Sequence, residues 1–243
     1  MSTAAGARIA LIHATRLSMA PIEAAFAARW PEAQCFHLLE ESLTADRVHR
    51  PAGAATLEER FVALSRYAAM AGANGILFTC SAFGAEIEAA RRAVPLPTLK
   101  PNEAMLQAAL AMGARIGLVA TFEPSLPSIG DELHAAAAER GMEIEITPLF
   151  VPDAMAALGR GDLAAHDVAI ADAVRQLHGL DVVLLAQFSM ARARAAVEGA
   201  GKLPVLTSPE SAVDALRRAM SSLTIHSSSA IPAAGKPSPR SPP

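Results

Sequence analysis

The chain of 243 residues repeats itself. Arg8-Ile9-Ala10-Leu11-Ile12 matches Arg115-Ile116-Gly117-Leu118-Val119 at a shift of 107 residues, and the same shift carries Ser18 to Ser125, Ile22 to Ile129 and Gly72 to Gly179. It also carries Pro97 to Pro204, Leu99 to Leu206 and Glu103 to Glu210. Chance supplies a few such matches, but not one constant shift held across a whole half. The chain is therefore expected to fold as two similar halves of a duplicated unit, related by a pseudo-twofold axis.

Within each half, strands alternate with helices. Residues 7–12 form a continuous apolar run, the pattern of a strand covered on both faces. The polar stretch from His13 to Pro21 follows, and its proline starts a helix from Ile22 to Ala28. Cys35 to Leu39 reads as a second strand, and the polar, irregular stretch 43–53, with His49 and Arg50, as a loop at a cleft mouth. Thr56 and Glu59 form a capping box for a helix that runs to Met70 and stops at Gly72. Gly75 to Phe78 makes a third strand, and a helix begins at about Gly84. This order predicts an α/β fold of two pseudosymmetric, doubly wound parallel-sheet halves with an active-site cleft between them. The first half spans residues 1–100 and the second 101–208. The closing helix at 209–220 is free to pack on either half. Residues 221–243 lack an apolar period and read as a disordered tail.

In doubly wound sheets, ligands sit beyond the carboxyl ends of the strands. Two halves facing each other put those ends on opposite walls of one cleft. Three loops there pair by the shift: His13–Ser18 with Ala120–Ser125, Thr79–Ala82 with Ala186–Ser189, and Lys100–Asn102 with Thr207–Pro209. Small hydroxyl residues recur in them, namely Thr15, Ser18, Thr79, Ser81, Thr121, Ser125 and Ser189. Hydroxyls together with helix-end amides suit a carboxylate. Taken singly, each is equally well a helix cap. Cys80 stands between strand and helix, at a positive helix end that favours the thiolate; the competing reading is a small apolar core residue. His13 ends the first strand, and its titration range suits a second acid/base. The competing reading there is a loop histidine that only hydrogen-bonds. Arg16, Lys100 and Glu123 lie beside these loops, as specificity groups or as solvated surface charges.

Composition removes several classes. The net charge is −3, with one Trp and one Tyr and no basic cluster, so a nucleic-acid partner is not expected. The longest apolar runs fall short of the ~20 residues that span a bilayer, so neither is a membrane. No charged stretch followed by an apolar one marks secretion, which points to the cytoplasm. There Cys35 and Cys80 stay reduced thiols. The histidines show no metal-ligand spacing, and no metal is expected. The expected partner is a small carboxylate, with self-association left open.

Three motifs carry a resemblance: Thr79-Cys80-Ser81, Gly117-Leu118-Val119-Ala120-Thr121, and Leu185-Ala186-Gln187-Phe188-Ser189-Met190. Over residues 7–220 the chain resembles the cofactor-independent aspartate/glutamate and hydantoin racemases, relatives of maleate isomerase and arylmalonate decarboxylase. The resemblance implies no cofactor, neither PLP nor metal, a carboxylate held by hydroxyls and loop amides, and one cysteine on each wall. One thiolate removes the α-proton while the other thiol delivers a proton from the opposite face. Cys80 occupies the first position. The second, counted in the same register, is Gln187, which neither takes nor gives a proton near neutral pH. Gln187 is expected to hydrogen-bond the carboxylate instead. Ser189, two residues on, has no neighbouring base in sequence.

With one thiol, three reactions stay open. Cys80 can protonate the enediolate left when a malonate-type acid loses CO2. It can add as a nucleophile to an activated alkene, as in maleate-type cis–trans isomerisation, or share a racemisation with His13 or Ser189. From another class, the chain is a non-catalytic binder of a small acid.

Overall fold

Strands that are apolar at every position must be covered on both faces, and the helices between them supply the cover. The computed structural model describes residues 6–228. Its first sheet holds β1 (Arg8–His13), β2 (Gln34–Leu39), β3 (Gly75–Phe78) and β4 (Thr98–Leu99), in the order β2-β1-β3-β4. The second holds β5 (Arg115–Ala120), β6 (Glu145–Phe150), β7 (Val182–Leu185) and β8 (Val205–Thr207), in the order β6-β5-β7-β8. Every pairing is parallel. The α/β architecture read from the sequence is the one observed. Even local bonds repeat: the Arg8 N–H donates to Asn74 Oδ1, and the Arg115 N–H to Asp181 Oδ2, each at 2.9 Å. Gly72 and Gly179, also related by the shift, both turn the chain at positive φ, where a side chain would strain it.

Alternation along the strands sorts the core into layers. In the first sheet Ala10, Ile12, Ile76 and Phe78 face α2 (Ser42–Val48), α3 (Leu57–Met70) and α4 (Gly84–Ala93). Ile9, Leu11 and Leu77 face α1 (Met19–Arg29) and the last helix, α10 (Ser208–Ser228). In the second sheet Ile116, Leu118 and Val182 face α5 (Glu103–Met112) and α6 (Ser125–Glu139). The opposite face, with Val119 and Val183, is covered by α7 (Pro152–Gly159), α8 (Leu163–Val174) and α9 (Arg194–Ala200). The closing helices therefore cross over. α5 leaves the first sheet to finish the second, and α10 leaves the second to finish the first. Gly75 makes room for that crossing: a Cβ there would meet Met220 Sδ at 3.1 Å and Leu216 Cδ1 at 3.2 Å.

Two expectations change. The stretch read as a loop from residue 43 begins with helix α2. Its one fully buried residue is Leu43, and Arg60 of α3 clamps it through ion pairs to Glu40 and Asp46. One buried leucine in seven residues leaves no period to read, so tertiary contacts decide. The boundary placed after Met220 also moves, because α10 continues to Ser228. Ser221 and Ser222 sit within the helix with their hydroxyls donated to its own carbonyls at Arg217 and Arg218 (2.9 and 3.1 Å). The rest of the expected tail, 229–243, lies outside the described residues.

If α10 completes the first core, Leu216→Ala will destabilise the protein by about 2–5 kcal/mol in chemical denaturation, as a buried leucine does. Val168→Ala, on an exposed face of α8, will cost less than about 0.5 kcal/mol. Equal small effects would show that the crossing helix is not part of the core.

Candidate active site

The carboxyl ends of β1, β3, β5 and β7 open on one cleft of about 370 Å³ between the halves. Thr15, Ser18, Thr79, Cys80, Ser81, Ser125, Gln187 and Ser189, all singled out in sequence, line it. His13 and Thr121 do not; they sit one layer behind, buried.

On the first wall the chain leaves β3 with the Thr79 N–H bonded to Ile12 O at 3.0 Å, turns through Cys80 to Phe83, and enters α4 at Gly84. Ser128 Oγ of α6 donates to Ser81 O at 3.3 Å, tying this turn to the other half. The backbone N–H of Ala82 and the cation of Arg47 both favour the Cys80 thiolate, as the helix-end argument requires. Burial opposes them and is the larger effect, so the thiol is pushed above its ordinary value. The group at rest is a thiol rather than the thiolate that its helix-end place implies.

On the second wall, at the position equivalent to Cys80, stands Gln187. Its Oε1 accepts from the Thr121 backbone N–H at 2.9 Å and from Thr121 Oγ1 at 3.3 Å. That pair fixes which way the amide points. Its Nε2 is buried with no protein partner among the described residues, and the side chain lines the cleft. A buried donor without a partner is costly, and a ligand oxygen would satisfy it. Thr121 thus orients the Gln187 side chain and does not itself line the cleft.

His13 is fully buried behind the first wall. Its Nδ1 lies 2.7 Å from Thr79 Oγ1 and 3.1 Å from Ser18 Oγ, and its Nε2 lies 2.9 Å from His37 Nδ1. Burial, helped by the neighbouring His37, lowers its pKa to about 4, so His13 is neutral near pH 7.

Sequence reading missed part of the site. Thr44, Arg47 and Val48 reach the cleft from α2, and Leu17, Phe122 and Met155 give it apolar surface. The loop expected at the cleft mouth marked the place but pointed to His49 and Arg50, which do not line it. Arg16 and Lys100 are engaged elsewhere, with Glu41 at 3.0 Å and Glu88 at 3.6 Å, and Glu123 does not reach the cleft either. Among the described residues no cluster of three or more His, Cys, Asp or Glu side chains is placed to hold a metal ion.

The family model described as Asp/Glu/Hydantoin racemase matches residues 11–216. The chain belongs to that family. No curated protein sequence matches it. Solved structures share its fold at low identity. Allantoin racemase from Klebsiella pneumoniae is 17% identical with a TM-score of 0.63, over 90% of this chain and 89% of that one. A glutamate racemase from Bacillus anthracis is 13% identical with a TM-score of 0.65, over 92% and 83%. Arylmalonate decarboxylase is 20% identical with a TM-score of 0.61, over 88% and 92%. At such identities the likeness carries the fold alone.

His13 makes the stability of this family member depend on pH. Its folded-state pKa lies below that of an unfolded imidazole, so as pH falls from about 6.5 to about 4 the unfolded chain takes up a proton that the folded one refuses. Stability is complete above that window and is lost through it, by about 3 kcal/mol. Denaturation at both ends of the window will show wild type losing about that much more than His13→Gln. Parallel losses would mean that His13 is not held neutral by burial.

Proposed function

We propose that this protein is a cofactor-independent enzyme that acts on a small carboxylate through Cys80. Its reaction, in this reading, is decarboxylation of a disubstituted malonate with protonation from one face. The observation that carries it is the asymmetry of the two walls: a thiol on one, and on the equivalent position of the other an amide with a free donor. Two-face racemisation needs a proton carrier on each side of the planar intermediate, and Gln187 carries none. Isomerisation by thiolate addition uses the anion as nucleophile, and burial pushes the Cys80 thiol up, against that form. A protonated thiol is what one-face decarboxylation requires.

The residues then take these roles. Ser18, Thr79, Ser81, Ser125 and Ser189, with Thr15 and the Arg47 cation, cradle the carboxylate that is retained. Leu17, Val48, Phe122 and Met155 receive an apolar substituent, and any carboxylate pressed against them is poorly solvated until it leaves as neutral CO2. Negative charge gathers on the oxygens of the enediolate, where the hydroxyls and the Gln187 Nε2–H donate. Cys80 then delivers its proton to the carbon on its own side. Its two cysteines are free thiols, in keeping with a place in the cytoplasm.

CO2 release from a panel of 2-alkyl-2-arylmalonates tests the reading. The wild type is expected to turn over at least one member, with Cys80→Ala slower by on the order of 10²–10⁴-fold. Gln187→Leu, which leaves the cleft without its amide donor, will lower kcat/KM roughly 10–100-fold. Full activity in Cys80→Ala would overturn the mechanism; tight binding without turnover would make the protein a binder of small acids.

A further inference from the structure

Behind the Cys80 wall a line of polar side chains runs from the cleft to the surface. Ser18 Oγ and Thr79 Oγ1, both in the cleft wall, lie 2.8 Å apart, and both contact His13 Nδ1. His13 Nε2 meets His37 Nδ1 at 2.9 Å, with the two rings only 14° from parallel. His37 Nε2 lies 3.3 Å from Glu23 Oε1, and the Glu23 side chain is 55% exposed. No gap in that line exceeds hydrogen-bond reach.

Nothing comparable backs the other wall. The shift that relates the halves takes His13 to Ala120, Thr79 to Ala186 and Glu23 to Gly130. Strand pairing sets His37 beside Leu11 and, equivalently, Pro148 beside Leu118. The fold therefore does not need imidazoles at these places. They occur only on the wall that holds the thiol.

We propose that Glu23, His37 and His13, ending at the Thr79 and Ser18 hydroxyls, form a proton relay that recharges Cys80 from solvent. The inference rests on the decarboxylase reading, whose stoichiometry requires it. A disubstituted malonate dianion and the Cys80 thiol give one monocarboxylate, one CO2 and the Cys80 thiolate. The C–C bond to the departing carboxylate breaks, its electron pair becomes the carbanion, and a C–H bond forms with the thiol proton. The thiolate must then gain one proton per turnover, and nothing in the reaction returns it.

The geometry orders the hand-over. In the loaded line a solvent proton sits on Glu23 and each neutral ring carries its proton on Nδ1, so Glu23 O–H faces His37 Nε2 and His37 Nδ1–H donates to His13 Nε2. His13 Nδ1–H in turn donates to Thr79 Oγ1, whose own proton is turned to the cleft. When a water draws that proton to the Cys80 thiolate, each proton moves one bond inward, leaving Glu23 a carboxylate and both rings protonated on Nε2; a solvent proton on Glu23 and tautomer exchange of the rings reload the line. Burial holds His13 neutral, so it passes a proton on rather than keeping it.

His37 and Glu23 do not line the cleft, and His37→Ala and Glu23→Gln leave its walls in place. In rapid-mixing experiments His37→Ala is expected to release its first CO2 per site at the wild-type rate and then slow by roughly 10²-fold, a typical loss for a proton-transfer group. KM stays unchanged, added imidazole restores turnover, and Glu23→Gln slows it in the same sense. An unaltered steady state, or a first turnover that slows in parallel with the later ones, would overturn the relay. A second measurement does not need activity. In the resting enzyme ¹⁵N–¹H spectra should show His13 and His37 protonated on the same ring nitrogen, Nε2 in both when Glu23 is ionised. Opposite tautomers on the two rings, which would put two protons or none between His13 Nε2 and His37 Nδ1, would contradict the relay. Failure of every malonate with the wild type would remove the decarboxylase reading, and with it the need for recharging.

Discussion

Two helices that cross between halves hold this molecule in the shape its chemistry needs. α5 carries Met105, Leu106, Ala109 and Leu110 from the end of the first sheet into the core of the second. α10 returns Ala212, Val213 and Leu216 to the core of the first. Neither sheet is covered on both faces without a helix from the other half, so the halves cannot drift apart without exposing core. The cleft is the space this exchange leaves between the facing strand ends. Ser208 Oγ, bonded to Asn102 Oδ1 at 2.6 Å, pins the starts of the two crossing helices to each other.

On that symmetric frame the side chains of the two walls differ. The same register places sulfur on one wall and an amide on the other, and the difference continues a layer deeper. Behind Cys80 lie hydroxyls and two imidazoles; behind Gln187 lie Ala120, Ala186 and the Thr121 bonds that orient its side chain. Burial decides how each wall works. It outweighs the helix end and Arg47 at Cys80 and keeps the sulfur protonated, and it keeps His13 uncharged. In the proposed reaction one wall gives a proton and the other holds an oxygen.

Much of this was legible before any coordinates. Apolar runs located the buried strands, and the constant shift foretold the duplicated frame. The register of the repeat set Cys80 opposite Gln187. What escaped notice depends on contacts between segments far apart in sequence. Helix α2, anchored by Leu43 and Arg60, has no period of its own, so Arg47 and Val48 went unseen as cleft residues. The pairing of His13 with His37 arises only when β2 lies beside β1. A local rule also misled: a strand-to-helix turn implies a thiolate, and burial, which sequence does not display, reverses it.

The central claim is that protons reach the reacting carbon from the Cys80 side only. The stereochemical course of the reaction in D2O tests it most directly, with a prochiral disubstituted malonate as substrate. One product enantiomer with a single deuterium, stable to prolonged incubation with the enzyme, is the result predicted by one thiol facing one amide. A racemic product, or one that goes on exchanging and inverting, would contradict it and place a second proton carrier on the Gln187 wall.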